Sequence, residues 1–166
     1  MNRTIHFLLL IGCLLVTAFA DAAQQNQGGT LLTVEGNVST PLKLTAAEIA
    51  KLPRRTVQTK DHGKDATFEG VPLVEVLKLA GVQFGEHLRG KSLATYLLAE
   101  ASDGYRVVFT LTELDPAFTD RMILLADRRD GKPLSGEEGP LRIVVPDEKR
   151  AARWIRQLVK LTLRPA

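Results

Sequence analysis

Apolar and polar positions alternate along this chain in short runs, and glycine, proline or Asp-Gly pairs punctuate nearly every run. Leu31 to Gly36 and Val38 to Leu44 are extended runs around a Gly36-Asn37 turn, which predicts a hairpin-like opening. Thr45-Ala-Ala-Glu48 is a capping box, so a short helix is expected to end before Pro53. Arg54 to Lys60 alternates Arg55, Val57 and Thr59 with Thr56 and Gln58 and reads as a strand, followed by a polar loop from Asp61 to Thr67. Pro72 starts a helix whose Val74, Val76, Leu77, Leu79 and Ala80 recur at helical spacing, with Gly81 closing it. Ser92 to Glu100 and Tyr105 to Thr110 read as strands joined by a tight Ala-Ser-Asp-Gly turn. A brief helix is expected over Leu111 to Phe118. Further strands are expected over Arg121 to Ala126 and Leu141 to Val145, with an Asp130-Gly131 turn between them. Short strands, few helices and frequent breakers give a single α+β domain with a mixed sheet.

The first residues change the compartment. Asn2 to His6 is a short basic start, Phe7 to Phe19 is almost unbroken apolar sequence, and Ala18-Phe-Ala20 and Ala20-Asp-Ala22 are small-x-small cleavage patterns. Residues 1–23 therefore read as a signal peptide and 24–166 as one exported domain, expected in the periplasm. Leu10-Ile-Gly-Cys13 also matches the pattern that precedes a lipid-modified cysteine, but the apolar run continues past Cys13 where a lipoprotein turns polar. Cys13 is the sole cysteine, so the exported domain has no disulfide and no thiolate to act as nucleophile or metal ligand.

Charge is concentrated near the C-terminal end. The whole chain carries +3, yet Gly139 to Ala166 holds seven Lys and Arg against Asp147 and Glu148. The only tryptophan, Trp154, sits inside that basic stretch. Cations beside one aromatic plate suit a flat, polar, electron-rich ligand, and in an exported domain they point to a ligand pocket or docking face rather than nucleic acid.

Several phrases resemble the molybdopterin-binding domain of the sulfite oxidase family. They are Phe68-Glu-Gly-Val-Pro-Leu73 with its following helix, Asp103-Gly-Tyr-Arg106, Leu124 to Leu134, and Gly139-Pro-Leu-Arg-Ile-Val-Val-Pro146 with the basic-Trp segment. The order and spacing fit over nearly the whole exported chain, and the resemblance implies a minimal, single-domain sulfite oxidase-like fold. Enzymes of that family hold molybdenum through a cysteine preceding the Phe-x-Gly-x-Pro-Leu phrase. Here that region is Val57-Gln-Thr-Lys-Asp-His62, without a thiolate. Oxygen donors do not replace that bond to a thiolate-seeking metal. The resemblance therefore implies a non-catalytic pterin-binding protein, holding reduced pterin rather than molybdopterin and no metal. Some small exported relatives of this type report pterin levels to a membrane-bound cyclic-di-GMP enzyme, so the resemblance implies the periplasmic domain of an inner-membrane signalling protein as partner. The alternative is a molybdenum-cofactor oxidoreductase, or its accessory subunit, that dispenses with cysteine.

A pterin needs a plane to stack on, a carboxylate for its amide-guanidine edge, and donors for its carbonyl and ring nitrogens. The ligand-binding candidates are Trp154, Arg153, Arg150, Asp103, Tyr105, Arg106, Asp147 and His62. Most have a plainer reading. Trp154 covers the core, Arg153 and Arg150 face water, Asp103 caps its own turn, Asp147 pairs with Lys149 or Arg150, and His62 is an exposed loop residue. Arg142 is read as partly structural, pairing across the sheet. His62 and His87 lack zinc-site spacing. Ser39, Ser92, Ser102 and Ser135 lack a nucleophile context, so no catalytic residue is assigned.

Overall fold

The computed structural model describes residues 28–165. The expected signal peptide, with Cys13, lies outside them. Two five-stranded sheets enclose one continuous apolar core. The first sheet has the order β2-β1-β10-β5-β6, built from β1 (Thr30–Gly36), β2 (Leu42–Thr45), β5 (Tyr96–Ala101), β6 (Arg106–Thr110) and β10 (Leu158–Arg164). Its pairs are antiparallel except β1 with β10, which makes it the mixed sheet. The second sheet runs β3-β4-β7-β8, with β9 also paired to β7. It comprises β3 (Arg55–Asp61), β4 (Lys64–Pro72), β7 (Leu124–Arg129), β8 (Lys132–Pro133) and β9 (Arg142–Val144).

Period-two alternation decides which side chains enter the core. Leu32 and Val34 of β1, Leu97 and Ala99 of β5, Val107 and Phe109 of β6, and Leu161 and Leu163 of β10 are buried, while their neighbours face outward. Strands β7 and β9 instead lie deep in the molecule. Leu124, Leu125 and Ala126 are buried in succession, as are Arg142, Ile143 and Val144. Helix α1 (Ala46–Ala50) has the expected capping box, with Thr45 and Glu48 each accepting from the other's backbone N–H. Helix α2 (Leu73–Leu79) starts directly from β4, and its first amide donates to Ile123 O at 2.9 Å. Gly81, at φ +80, follows its C-terminus. Helix α3 (Leu111–Leu114) is one turn, capped by Thr110 and Glu113.

Several expectations change. The loop expected over Asp61 to Thr67 is only the two-residue turn His62-Gly63, because β4 already begins at Lys64 and pairs with β3 out to Asp61. The strand expected from Ser92 begins at Tyr96, after a 3-10 turn over Gly90–Ala94, and the one expected from Arg121 begins at Leu124. Strand β10 was not expected at all, yet it is the middle strand of the first sheet. Its Leu161-Thr162-Leu163 alternation was visible, but the basic residues around it mask the signal.

The chain crosses between the sheets just before β10. Ile143 N donates to Ile155 O at 2.8 Å, Gln157 N to Glu138 O at 3.0 Å and Leu158 N to Leu141 O at 2.9 Å, which ties this crossing segment to the β9 region. Ser102 N, following β5, donates to Gln157 O at 3.0 Å. The crossing is thus bonded to both sheets. Within the second sheet, a Cβ on Gly70 would lie 2.0 Å from Leu125 O, so β4 and β7 close only around a glycine there. Gly70→Ala is expected to cost about 3 kcal/mol and to lower the thermal midpoint by roughly 10 °C in a scanning calorimeter.

Candidate functional site

The two-residue turn between β3 and β4 places His62 and Gly63 at φ +50 and +79. Both central residues are left-handed, the geometry that matches strand twist in a tight hairpin. Asp61, the last residue of β3, is then directed inward and is 3% exposed. Two arginines meet it from adjacent strands. Arg129 ends β7 opposite Phe68 of β4, and Arg142 opens β9 opposite Ala126 of β7.

These residues form a compact charge network. Arg129 Nη1 lies 3.0 Å from both Asp61 Oδ2 and Glu138 Oε1. Arg142 Nη1 lies 3.4 Å from Asp61 Oδ2 and 2.7 Å from Glu138 Oε1. Arg142 is only 3% exposed. Burial pushes its guanidinium below its ordinary pKa, and the carboxylates of Asp61 and Glu138 oppose that shift. Its cation also lies over aromatic faces, 5.0 Å from the Phe68 ring centre and 5.7 Å from that of Trp154. Phe68 and Trp154 themselves meet edge to face at 5.9 Å.

Satisfaction is incomplete at this spot. Asp61 Oδ1, Arg142 Nε and Trp154 Nε1 are buried without a hydrogen-bond partner. His62 Nε2 lies 3.7 Å from Asp61 Oδ1. An unpaired buried polar atom costs about 1–3 kcal/mol, so three in one neighbourhood mark a place prepared for something polar. A cleft of about 230 Å³ opens there, lined by Asp61, His62, Lys64, Arg129, Glu138, Arg142 and Arg156. Drug-sized ligands take about 300–1,000 Å³, so this volume suits one ring system or a small anion.

The lining contains four cations, Lys64, Arg129, Arg142 and Arg156, and two carboxylates, Asp61 and Glu138. Both carboxylates are engaged by Arg129 and Arg142. Lys64 and Arg156 have no ion pair among the described residues, so the cleft is left with two uncompensated positive charges, four minus two. A second, larger groove of about 600 Å³ runs past Leu31, Ile49, Leu134 and Leu141. Its charges are closed into the pairs Arg54–Asp127 and Arg128–Glu69, and no orphaned polar atom lies in it. The smaller cleft is the better candidate. Among the described residues, no group of three or more His, Cys, Asp or Glu is placed to hold a metal ion.

Of the residues singled out in the sequence, His62 lines the cleft, and Trp154 does not, its ring lying 5.7 Å from the Arg142 guanidinium. Trp154 is 4% exposed and packs into the core, so it is no open stacking plate. Arg153 lies elsewhere and is fully occupied. It donates to Glu148 through Nε and Nη2 and to Glu113 through Nη1 at 2.9 Å, and it lies 4.9 Å over the Phe109 ring. Asp103 accepts from Tyr105 N within its own turn, Tyr105 Oη donates to Ala152 O, and Arg106 pairs with Glu100 at 2.8 Å. Asp147, at φ +65, and Arg150 are exposed. The structure therefore does not gather these last six residues into the cleft. Asp61, Lys64, Arg129, Glu138 and Arg156 were missed. The available signal for Arg142 was a cation inside a wholly apolar run, which requires a buried partner.

Two expected outcomes follow from this packing. The Trp154 emission should be blue-shifted and unquenched by iodide in the folded protein, and Trp154→Ala should cost about 3–5 kcal/mol in denaturant titrations. Burial tends to raise the Glu113 carboxyl pKa, but hydrogen bonds from Thr110 and Arg153 overcome this and hold it below its ordinary 4.5. Its contribution to stability is therefore complete above about pH 4.5 and disappears as pH falls through the lower folded-state value. The stability difference between wild type and Glu113→Gln should shrink correspondingly in denaturant titrations run from neutral pH down into that acid range.

The comparisons with known proteins agree with this architecture. Sulfane dehydrogenase SoxCD from Paracoccus pantotrophus superposes with a TM-score of 0.65 at 21% identity, covering 83% of this chain and 38% of that one. At that identity the likeness speaks for the fold alone. This chain also spans well under two thirds of that protein's length. Among curated proteins, none matches the chain. Residues 58–166, which carry the cleft from Asp61 to Arg156, match the oxidoreductase molybdopterin binding domain. The chain belongs to that family and has its sulfite oxidase-type fold.

Proposed function

We propose that the protein is an exported, non-catalytic pterin-binding protein, whose occupancy is relayed to the periplasmic domain of an inner-membrane signalling protein such as a cyclic-di-GMP enzyme. The observation that carries this reading is the unpartnered Oδ1 of buried Asp61 at the floor of a cationic cleft. A pterin presents adjacent N–H donors on its amide-guanidine edge, and a carboxylate is the natural acceptor for them. Arg142 Nε is a donor for a carbonyl or ring nitrogen. Lys64 and Arg156 favour an anionic substituent on the ring.

The donor set fits the pterin part of a molybdenum cofactor but not its metal. Carboxylate, imidazole, guanidinium and ammonium line the cleft, while the one cysteine is Cys13 in the leader. Molybdenum in this family setting seeks a thiolate, so no redox step is derived. Binding would instead lock Asp61, at the end of β3, against Arg142 on β9. Ligand-dependent ordering of two strands is a change that a partner surface can read.

A second reading, a molybdenum-cofactor oxidoreductase or its accessory subunit, rests on the family match over residues 58–166. Protein exported through its own leader and purified from cells separates the two. After mild oxidation, a fluorescent pterin is expected in a near one-to-one ratio with the chain, without stoichiometric molybdenum in elemental analysis. Asp61→Asn is expected to weaken reduced-pterin binding about 10- to 100-fold in calorimetry, because a charged hydrogen bond is lost. Stoichiometric molybdenum would favour the oxidoreductase. A protein with neither pterin nor affinity for reduced pterins would defeat the proposal.

A further inference from the structure

We infer that the outer edge of β3 is a docking edge on which a protein partner adds an extended, acidic strand. The sheets of the described residues end in five outer strands, β2, β6, β3, β8 and the three-residue β9. Exposed edges normally carry a device that prevents pairing, such as shortness, a bulge, a proline or a covering loop. Strand β8 has two residues and β2 has four. The edge of β6 is covered, since Arg153 Nη1 donates to Val108 O and Tyr105 Oη reaches Ala152 O. Strand β3 has seven residues, contains no proline, and pairs with β4 in unbroken register from Arg55 to Asp61. Of these outer strands it alone is long, regular and, among the described residues, uncovered.

Its backbone polarity follows from the turn. In a two-residue hairpin the flanking residues, Asp61 and Lys64, form a hydrogen-bonded pair, so alternate residues of β3 turn their amides away from β4. Thr56, Gln58 and Lys60 are the outward set. An independent contact agrees: Thr67, opposite Gln58, sends its N–H to Asp130 Oδ1 at 2.9 Å and accepts from Asp130 N at 2.8 Å, away from β3. Among the described residues the outward amides and carbonyls have no strand beside them, and the Thr56, Gln58 and Lys60 side chains are exposed.

Charge selects the occupant. Residues 51–64 contain Lys51, Arg54, Arg55, Lys60 and Lys64 against one acid, the buried Asp61. Arg54 pairs with Asp127 and Lys60 with Asp65, while Lys51, Arg55 and Lys64 have no ion pair among the described residues. A second copy pairing antiparallel through β3 would set two edges of the same positive sign side by side, and like charges across strands are destabilising. An extended segment bearing carboxylates gains both main-chain hydrogen bonds and charge attraction. This inference does not depend on which ligand occupies the cleft.

A short synthetic peptide alternating Glu with Val, titrated into the isotope-labelled chain, tests it. Amide shifts concentrated at Thr56, Gln58 and Lys60 are expected, weakened about fivefold or more by high salt. N-methylation of alternate peptide nitrogens should abolish the shifts. The exposed variant Arg55→Glu, with its thermal midpoint checked, should lose the acidic peptide and gain a Lys-Val one. No shift on β3 with the acidic peptide, or equal binding of the N-methylated one, would overturn the inference. Concentration-dependent dimerisation in sedimentation through the same amides would assign the edge to a second copy instead, and would overturn it too.

Discussion

The buried guanidinium of Arg142 is the constraint around which this molecule is arranged. An isolated ion of that kind costs several kcal/mol to bury and survives only with close counter-charges and hydrogen bonds. Asp61 arrives from the β3–β4 hairpin, Glu138 from the loop before β9, and Phe68 and Trp154 supply aromatic faces from β4 and the crossing segment. One side chain thereby fixes the relative positions of several elements distant in sequence. Arg129 shares both carboxylates, so the network is a four-membered cluster rather than a single pair.

The comparison with Arg153 shows why one arginine suggests function and the other does not. Arg153 has carboxylates on both ends of its guanidinium and an aromatic ring beneath it, and these contacts hold its pKa above the ordinary value against the opposing effect of burial. It staples the Ala151–Arg153 turn to β6 and α3. Arg142 leaves Nε without a partner, as Asp61 leaves Oδ1. A low-dielectric setting magnifies both satisfaction and its absence. The unfinished network therefore adjoins the cleft, and the finished one is part of the frame.

The same logic separates the two grooves. Apolar walls with closed ion pairs have nothing to offer a polar ring, whatever their volume. The small cleft has free cations and unpaired buried atoms, so its chemistry outweighs its size. Its position at the end of β3 also sets it next to the one long uncovered edge among the outer strands.

Local patterns in the chain determined most of the elements. Capping boxes at Thr45 and Thr110, the Pro72 and Gly81 boundaries of α2, the Asp130-Gly131 turn and the alternation in β3 and β6 were legible because each depends on neighbours a few residues away. The family phrases likewise carried the fold. The sequence also announced a cation in an apolar run at Arg142, and a tryptophan among basic residues. Which cations face a ligand is a different kind of question, because it depends on pairing between residues far apart in the chain. Asp61 meets Arg142 across 81 positions, and Arg153 meets Glu113 across 40. Local charge density drew attention to the segment around Trp154, but packing buried that ring and neutralised Arg153. Only the tertiary structure decided that the polar opening lies at Asp61, because among the described residues it is there that the partners run out before the polar atoms do.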